Sequence, residues 1–126
     1  MKDESFLHRQ VHPSFVQGDT ISSQVFTSQV FKPTPKDDFQ LSVYNGELFE
    51  AEESYDHYTE DGKKSSGVVA VTKAECIINE LPVKLDNVPF VGHCSIDYSG
   101  LTTGEISKKA KKLKVLASVR GWQFQP

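Results

Sequence analysis

Between Phe6 and Val11 the chain reads FLHRQV, and the alternation sorts these side chains onto two faces of a strand. Phe6, His8 and Gln10 share one face, and Leu7, Arg9 and Val11 share the other. The strand is predicted to end at His12-Pro13. Gly67-Val68-Val69-Ala70-Val71-Thr72 lacks polar alternation altogether, which predicts a strand covered on both faces and central in its sheet. Leu41 to Tyr44 is a further short strand followed by the turn signal Asn45-Gly46. From His93 to Tyr98, Cys94, Ile96 and Tyr98 alternate with His93, Ser95 and Asp97, giving a strand with one polar face.

Helical spacing begins after the Asn-Gly turn. That turn admits a hairpin into Glu47-Leu48-Phe49, whereas Ala51, Tyr55 and Tyr58 line one face of a helix from about Glu50 to Glu60, ended by Asp61-Gly62. The acidic residues Glu50, Glu52 and Glu53 suit the positive end of its dipole. Thr72-Lys73-Ala74-Glu75 is a capping box opening a short helix that ends near Leu81-Pro82. A second capping box, Thr102 to Glu105, opens a longer helix with the apolar stripe Ile106, Ala110, Leu113, Leu116 and Ala117. Gly121 stands at its C-cap, with Trp122 placed to pack back on the last turn and Trp122-Gln123-Phe124 available as a final strand. The expected fold is one compact α+β domain over residues 1–126. A mixed, mainly antiparallel sheet surrounds the Gly67 to Thr72 strand, packed by the C-terminal amphipathic helix and one or two shorter helices.

One stretch breaks this simple reading. Ser23-Gln24-Val25-Phe26-Thr27 is followed at once by Ser28-Gln29-Val30-Phe31-Lys32. A five-residue period in one regular strand would put Val25 and Val30 on opposite faces, and no Gly, Asn, Asp or Pro marks a hairpin between the copies. A bulge, or a strand leading into an extended edge segment through Lys32-Pro33-Thr34-Pro35, resolves the conflict.

Composition narrows the class. With 37% hydrophobic and 25% charged residues in 126, the chain belongs with ordered globular domains rather than disordered ones. No apolar run approaches the roughly 20 residues of a membrane span, and MKDESF has no apolar leader, so a cytoplasmic protein without a membrane segment is expected. Cys76 and Cys94 then read as reduced, partly buried thiols. The net charge of −3 hides a division: every charged residue from Asp37 to Asp61 is acidic, while Lys108, Lys109, Lys111, Lys112, Lys114 and Arg120 gather near the C-terminus. The two zones either steer a partner or attract one another across the fold. No glycine-rich phosphate loop or aromatic nucleic-acid platform accompanies the lysines, so a solvated helix face is expected and nucleic acid is not indicated.

Arg9 is the strongest candidate for chemistry. A guanidinium on an apolar face needs a carboxylate, an anionic ligand, or a path for its head to reach water. As a phosphate contact it would work with Ser22 and Ser23, and Tyr44 or His57 would complete the set. An Arg on an early strand followed by a Ser on a second resembles the ADP-ribosyltransferase-like arrangement, which implies nucleotide chemistry. The late Glu of that arrangement has no matching position here, and Glu50-Ala51-Glu52 comes too early in the chain. His8 and His12 have helical metal-ligand spacing, but strand alternation and Pro13 remove that geometry, so no metal site is expected. Asp56 and His57 are adjacent on a helix and do not face each other. His93 and Asp97 share a strand face as a polar pair.

No coherent catalytic set or cofactor motif emerges. The expectation is therefore a small binding or accessory module that engages a protein partner through Glu50, Glu52 and Glu53 and through Gln29 and Phe31 of the extended segment. The alternative is a nucleotide-processing enzyme or effector centred on Arg9, Ser22, Ser23, Tyr44 and His57.

Overall fold

The computed structural model describes residues 1–17 and 25–126. In chain order its elements are β1 (Phe6–Gln10), β2 (Val16–Gln17), β3 (Val25–Phe26), β4 (Gln40–Asn45), α1 (Ala51–Thr59), β5 (Val68–Thr72), α2 (Lys73–Ile78), β6 (Val83–Lys84), β7 (His93–Asp97) and α3 (Thr103–Arg120), with short 3-10 turns at Pro13–Phe15, Ser28–Phe31 and Pro35–Asp37. Five strands form one sheet in the order β5-β1-β4-β7-β6, every neighbouring pair antiparallel, and β2 and β3 form a separate two-stranded ribbon. The chain is thus a single α+β domain, with an antiparallel rather than mixed main sheet.

The faces of β1 are those the alternation predicts. Leu7 and Val11 join Leu41, Val43, Val69, Val71, Cys94 and Ile96 in the main core, closed by Ile106, Ala110, Leu113 and Ala117 of α3. His8 and Gln10 face the other way, where Gln10 Nε2 donates to Ser54 Oγ of α1 at 3.1 Å. Helices α1 and α3 consequently lie on opposite faces of the sheet. The carboxylates of α1 and the lysines of α3 therefore do not face each other, because the sheet stands between the two helices.

All three helices start with reciprocal caps. Thr72 with Glu75 and Thr102 with Glu105 do so as predicted, and Glu50 with Glu53 forms a third capping box at α1. This settles the contested stretch after Asn45-Gly46. Those residues make a turn, and α1 follows without a second hairpin strand. Both cysteines are free and buried.

Strand β5 is buried on both faces, yet it stands at the end of the sheet order instead of at its centre. Its outer edge is covered by the C-terminal tail. Val68 N–H donates to Phe124 O at 2.9 Å and Val68 O accepts from Gln123 N–H at 2.8 Å, while Arg120 Nη1 donates to Ala70 O at 2.9 Å. Such a covered edge is closed to further strand pairing. Gly67 permits the approach, since its φ is +149° and a Cβ there would lie 2.6 Å from Phe124 O. Arg120 is itself fixed by Glu75, with Nη1 to Oε1 at 3.0 Å and Nη2 to Oε2 at 2.8 Å.

The repeated pentapeptide adopts two structures. Val25 and Phe26 of the first copy lie in β3, whereas Ser28 to Phe31 of the second form a 3-10 turn capped by Thr27. The extended edge segment expected here is therefore absent from the second copy. The turn packs beneath α3, where Val30 and Phe31 are fully buried, and Tyr98 Oη donates to Phe31 O at 2.7 Å. Val25, the counterpart of Val30, is 45% exposed.

This difference makes a stability prediction. Val30→Ala should destabilise the fold by about 2 kcal/mol through lost burial and a residual cavity, whereas Val25→Ala should change it by less than about 0.5 kcal/mol. Urea unfolding midpoints at unchanged slope measure both, and equal effects would contradict the two placements.

Candidate ligand cleft

The site begins with a break in strand pairing. The β1–β4 ladder holds at Leu7↔Asn45 and His8↔Tyr44 and then stops, although β1 stays paired with β5 to Gln10 and β4 stays paired with β7 to Gln40. Arg9 occupies the opening. Its Nε donates to Val30 O at 2.8 Å, and its Nη1 donates to Ser42 O at 3.0 Å. The guanidinium thus substitutes for ladder bonds and ties the sheet to the 3-10 turn below. Its described hydrogen bonds all go to neutral carbonyls, and the described salt bridges do not include it. Burial pulls the Arg9 pKa down from its ordinary value, against the opposing influence of Tyr58, Tyr98 and Asp37.

Above the break lies a cleft of about 150 Å³. Arg9, Ser42 and Val43 line it from the separated strands, Tyr58 and Lys63 from α1 and the loop after it, and Pro89 and Phe90 from the loop before β7. His8, Gln10, Tyr44 and His93 complete the wall. Among the described residues, no carboxylate lines the cleft, while Arg9 and Lys63 supply two cations. Lys63 Nζ rests 5.2 Å from the centroid of the Tyr58 ring. A broader, more open hollow of about 410 Å³ also reaches His8, but its other walls include Glu4, Glu47 and Glu50.

Aromatic packing gives the cleft a stiff rim. The Phe90 ring centroid lies 5.0 Å from that of Tyr44, 4.4 Å from His57 and 5.4 Å from His93. Tyr44 Oη hydrogen-bonds His57 Nδ1 at 2.9 Å, so His57 braces Tyr44 from behind. His93 Nδ1 is 2.6 Å from Asp86 Oδ1, and Ser95 Oγ donates to Asp86 Oδ2 at 2.6 Å. Burial pushes the Asp86 carboxyl up, but the bonds from His93 and Ser95 outweigh it and hold the group below its ordinary value. His8 is only 5% exposed, and among the described residues its buried Nδ1 has no hydrogen-bond partner. Burial lowers its pKa against a hydrogen bond to the Phe49 carbonyl, which favours the neutral ring.

The structure brings some predicted site residues together and separates others. Arg9 and Tyr44 line one cleft, and His57 joins them through Tyr44. Ser22 and Ser23 lie outside the described residues. Glu50 and Glu53 are exposed but cap α1, and Glu52 projects freely from its first turn. Gln29 is exposed, whereas Phe31 is wholly buried and cannot be a surface contact, because its ring fills the core beneath α3. His93 pairs with Asp86 instead of Asp97, whose Oδ1 accepts from Gln40 Nε2 at 2.7 Å and from Ser99 N–H at 2.8 Å. His12 is exposed and bonds Ser14, away from His8 in role and surroundings. Among the described residues, no group of three His, Cys, Asp or Glu side chains could hold a metal ion. Sequence reasoning missed Lys63 and Phe90, which come from loops without a periodic signal, and it gave Asp86 no role.

No family model matches the chain, and neither does any curated protein or solved structure.

The wall geometry predicts a titration. Burial pushes the Tyr44 phenol up to about 12, from an ordinary value near 10. Keeping it neutral therefore favours the fold fully below about pH 10, and this contribution is lost as pH rises through about 12. The ultraviolet difference titration between the wild type and Tyr44→Phe should show a phenol ionising near 12. A midpoint near the ordinary tyrosine value would mean that Tyr44 is open to water.

Proposed function

We propose that the chain is a binding protein for a small anionic ligand, held over Arg9 in the cleft between β1 and β4. The observation that carries this reading is a half-buried guanidinium fixed by two neutral carbonyls at a cleft with a second cation and no described carboxylate. A desolvated cation without a counter-charge is costly, and a bound anion removes that cost. Arg9 and Tyr44 keep the binding half of the nucleotide reading, with His57 as a brace for Tyr44. Inorganic phosphate, AMP and benzoate serve as probes. At least one should bind, shifting the NMR signals of Arg9, Tyr44 and Phe90, and added salt should weaken it. The exposed Lys63, changed to Glu, should raise Kd several-fold while the fold is kept. Absence of binding by all three anions, or preference for a cationic ring such as benzamidinium, overturns the reading.

A second reading concerns the opposite charge. Glu52, Glu53 and Asp56 are exposed on α1 and Glu60 at its C-cap, and none takes part in a described salt bridge. They offer a docking face for a basic protein surface, as expected for an accessory module. Because Glu50 and Glu53 cap the helix, the informative reversals are Glu52→Lys and Asp56→Lys. Together they should weaken a salt-sensitive complex by about tenfold, measured by competition against the wild-type protein. Unchanged competition would remove α1 from the interface.

A further inference from the structure

We propose that the cleft is built for a single-ring aromatic carboxylate and not for a whole nucleotide. This inference rests on the anion-binding reading and names the chemical class of its ligand. Size is the first argument. The cleft holds about 150 Å³. That is the volume which encloses one benzene ring, well below the roughly 300 Å³ at which pockets for larger ligands begin. A base, a ribose and a phosphate cannot all be enclosed.

The walls specify the rest. Phe90, Tyr44 and Tyr58 are among the residues lining the space, and an aromatic lining favours a flat apolar body. Arg9 uses Nε and one Nη1 hydrogen on main-chain carbonyls, so its Nη2 edge makes no described bond. A guanidinium edge with paired N–H groups matches a carboxylate through two parallel bonds, and the anchoring carbonyls already fix its plane. Lys63 adds an exposed cation to the lining. It can leave the Tyr58 ring for the ligand without disturbing the core, because it is exposed.

The larger hollow beside His8 does not compete for the same ligand, since Glu4, Glu47 and Glu50 on its walls repel a carboxylate.

The experiment is isothermal titration of the whole protein with benzoate, 3-hydroxybenzoate, 4-hydroxybenzoate, AMP and inorganic phosphate. Benzoate and the hydroxybenzoates should bind about tenfold tighter than AMP, as expected where the ring is enclosed and the nucleotide is not. Arg9→Lys, which keeps the charge but removes the fork, should weaken that binding by about tenfold or more. Should Arg9→Lys fail to fold, the exposed Lys63→Ala serves in its place and should weaken binding several-fold. If AMP or phosphate binds at Arg9 and the benzoates bind more weakly or not at all, the single-ring inference is overturned while the anion-binding reading stands. If no anion binds, both fall.

Discussion

Arg9 sits where the β1–β4 ladder ends, and the surrounding architecture is arranged about its guanidinium. Two carbonyls from elements far apart in the chain, Val30 O and Ser42 O, converge on it. A main-chain carbonyl left unpaired in such a place would lose its hydrogen bonding to water without replacement. One cation therefore permits two departures from regular structure at once, a divided sheet and an irregular turn buried beneath α3. Tyr98 secures the same turn through Phe31 O, so the second pentapeptide copy is held from both of its apolar residues. The division above Arg9 creates the cleft, and the cation at its floor gives that space its sign.

The local rules were legible along the chain. Alternation assigned both faces of β1 and β7, and the Thr-to-Glu spacings located the starts of α2 and α3. The start of α1 was harder, since Glu50 caps it in a position where Ser or Thr is the usual signal. Apolar continuity in β5 correctly implied burial on both faces, but continuity cannot distinguish a central strand from an edge strand covered by a tail. That distinction depended on Gln123 and Phe124 returning to Val68 from the far end of α3. The pentapeptide was similar: period arithmetic required its two copies to differ, yet nothing local specified a 3-10 turn for the second.

The candidate site was legible only in its anomaly. Arg9 stood out because a charge on an apolar strand face demands an account, and Tyr44 was placed on a neighbouring strand. Lys63, Phe90 and Asp86 come from loops, where neither helical nor strand period marks a residue, and their meeting depends on how those loops close over the sheet. His93 illustrates the same limit. Its strand-face neighbour Asp97 was visible by alternation, whereas Asp86, which it bonds, lies on the loop packed against it.

The placement of α1 and α3 gives the molecule two unlike sides. Carboxylates project from α1 on one side of the sheet, and Lys108, Lys111 and Lys112 are exposed on α3 on the other. Another macromolecule approaching within a screening length responds to the side it meets, not to the net charge of −3. The domain therefore has polarity in the sense of a plate: a positively charged surface orients it one way up, a negatively charged surface turns it over, and only one of these orientations presents α1 to the support.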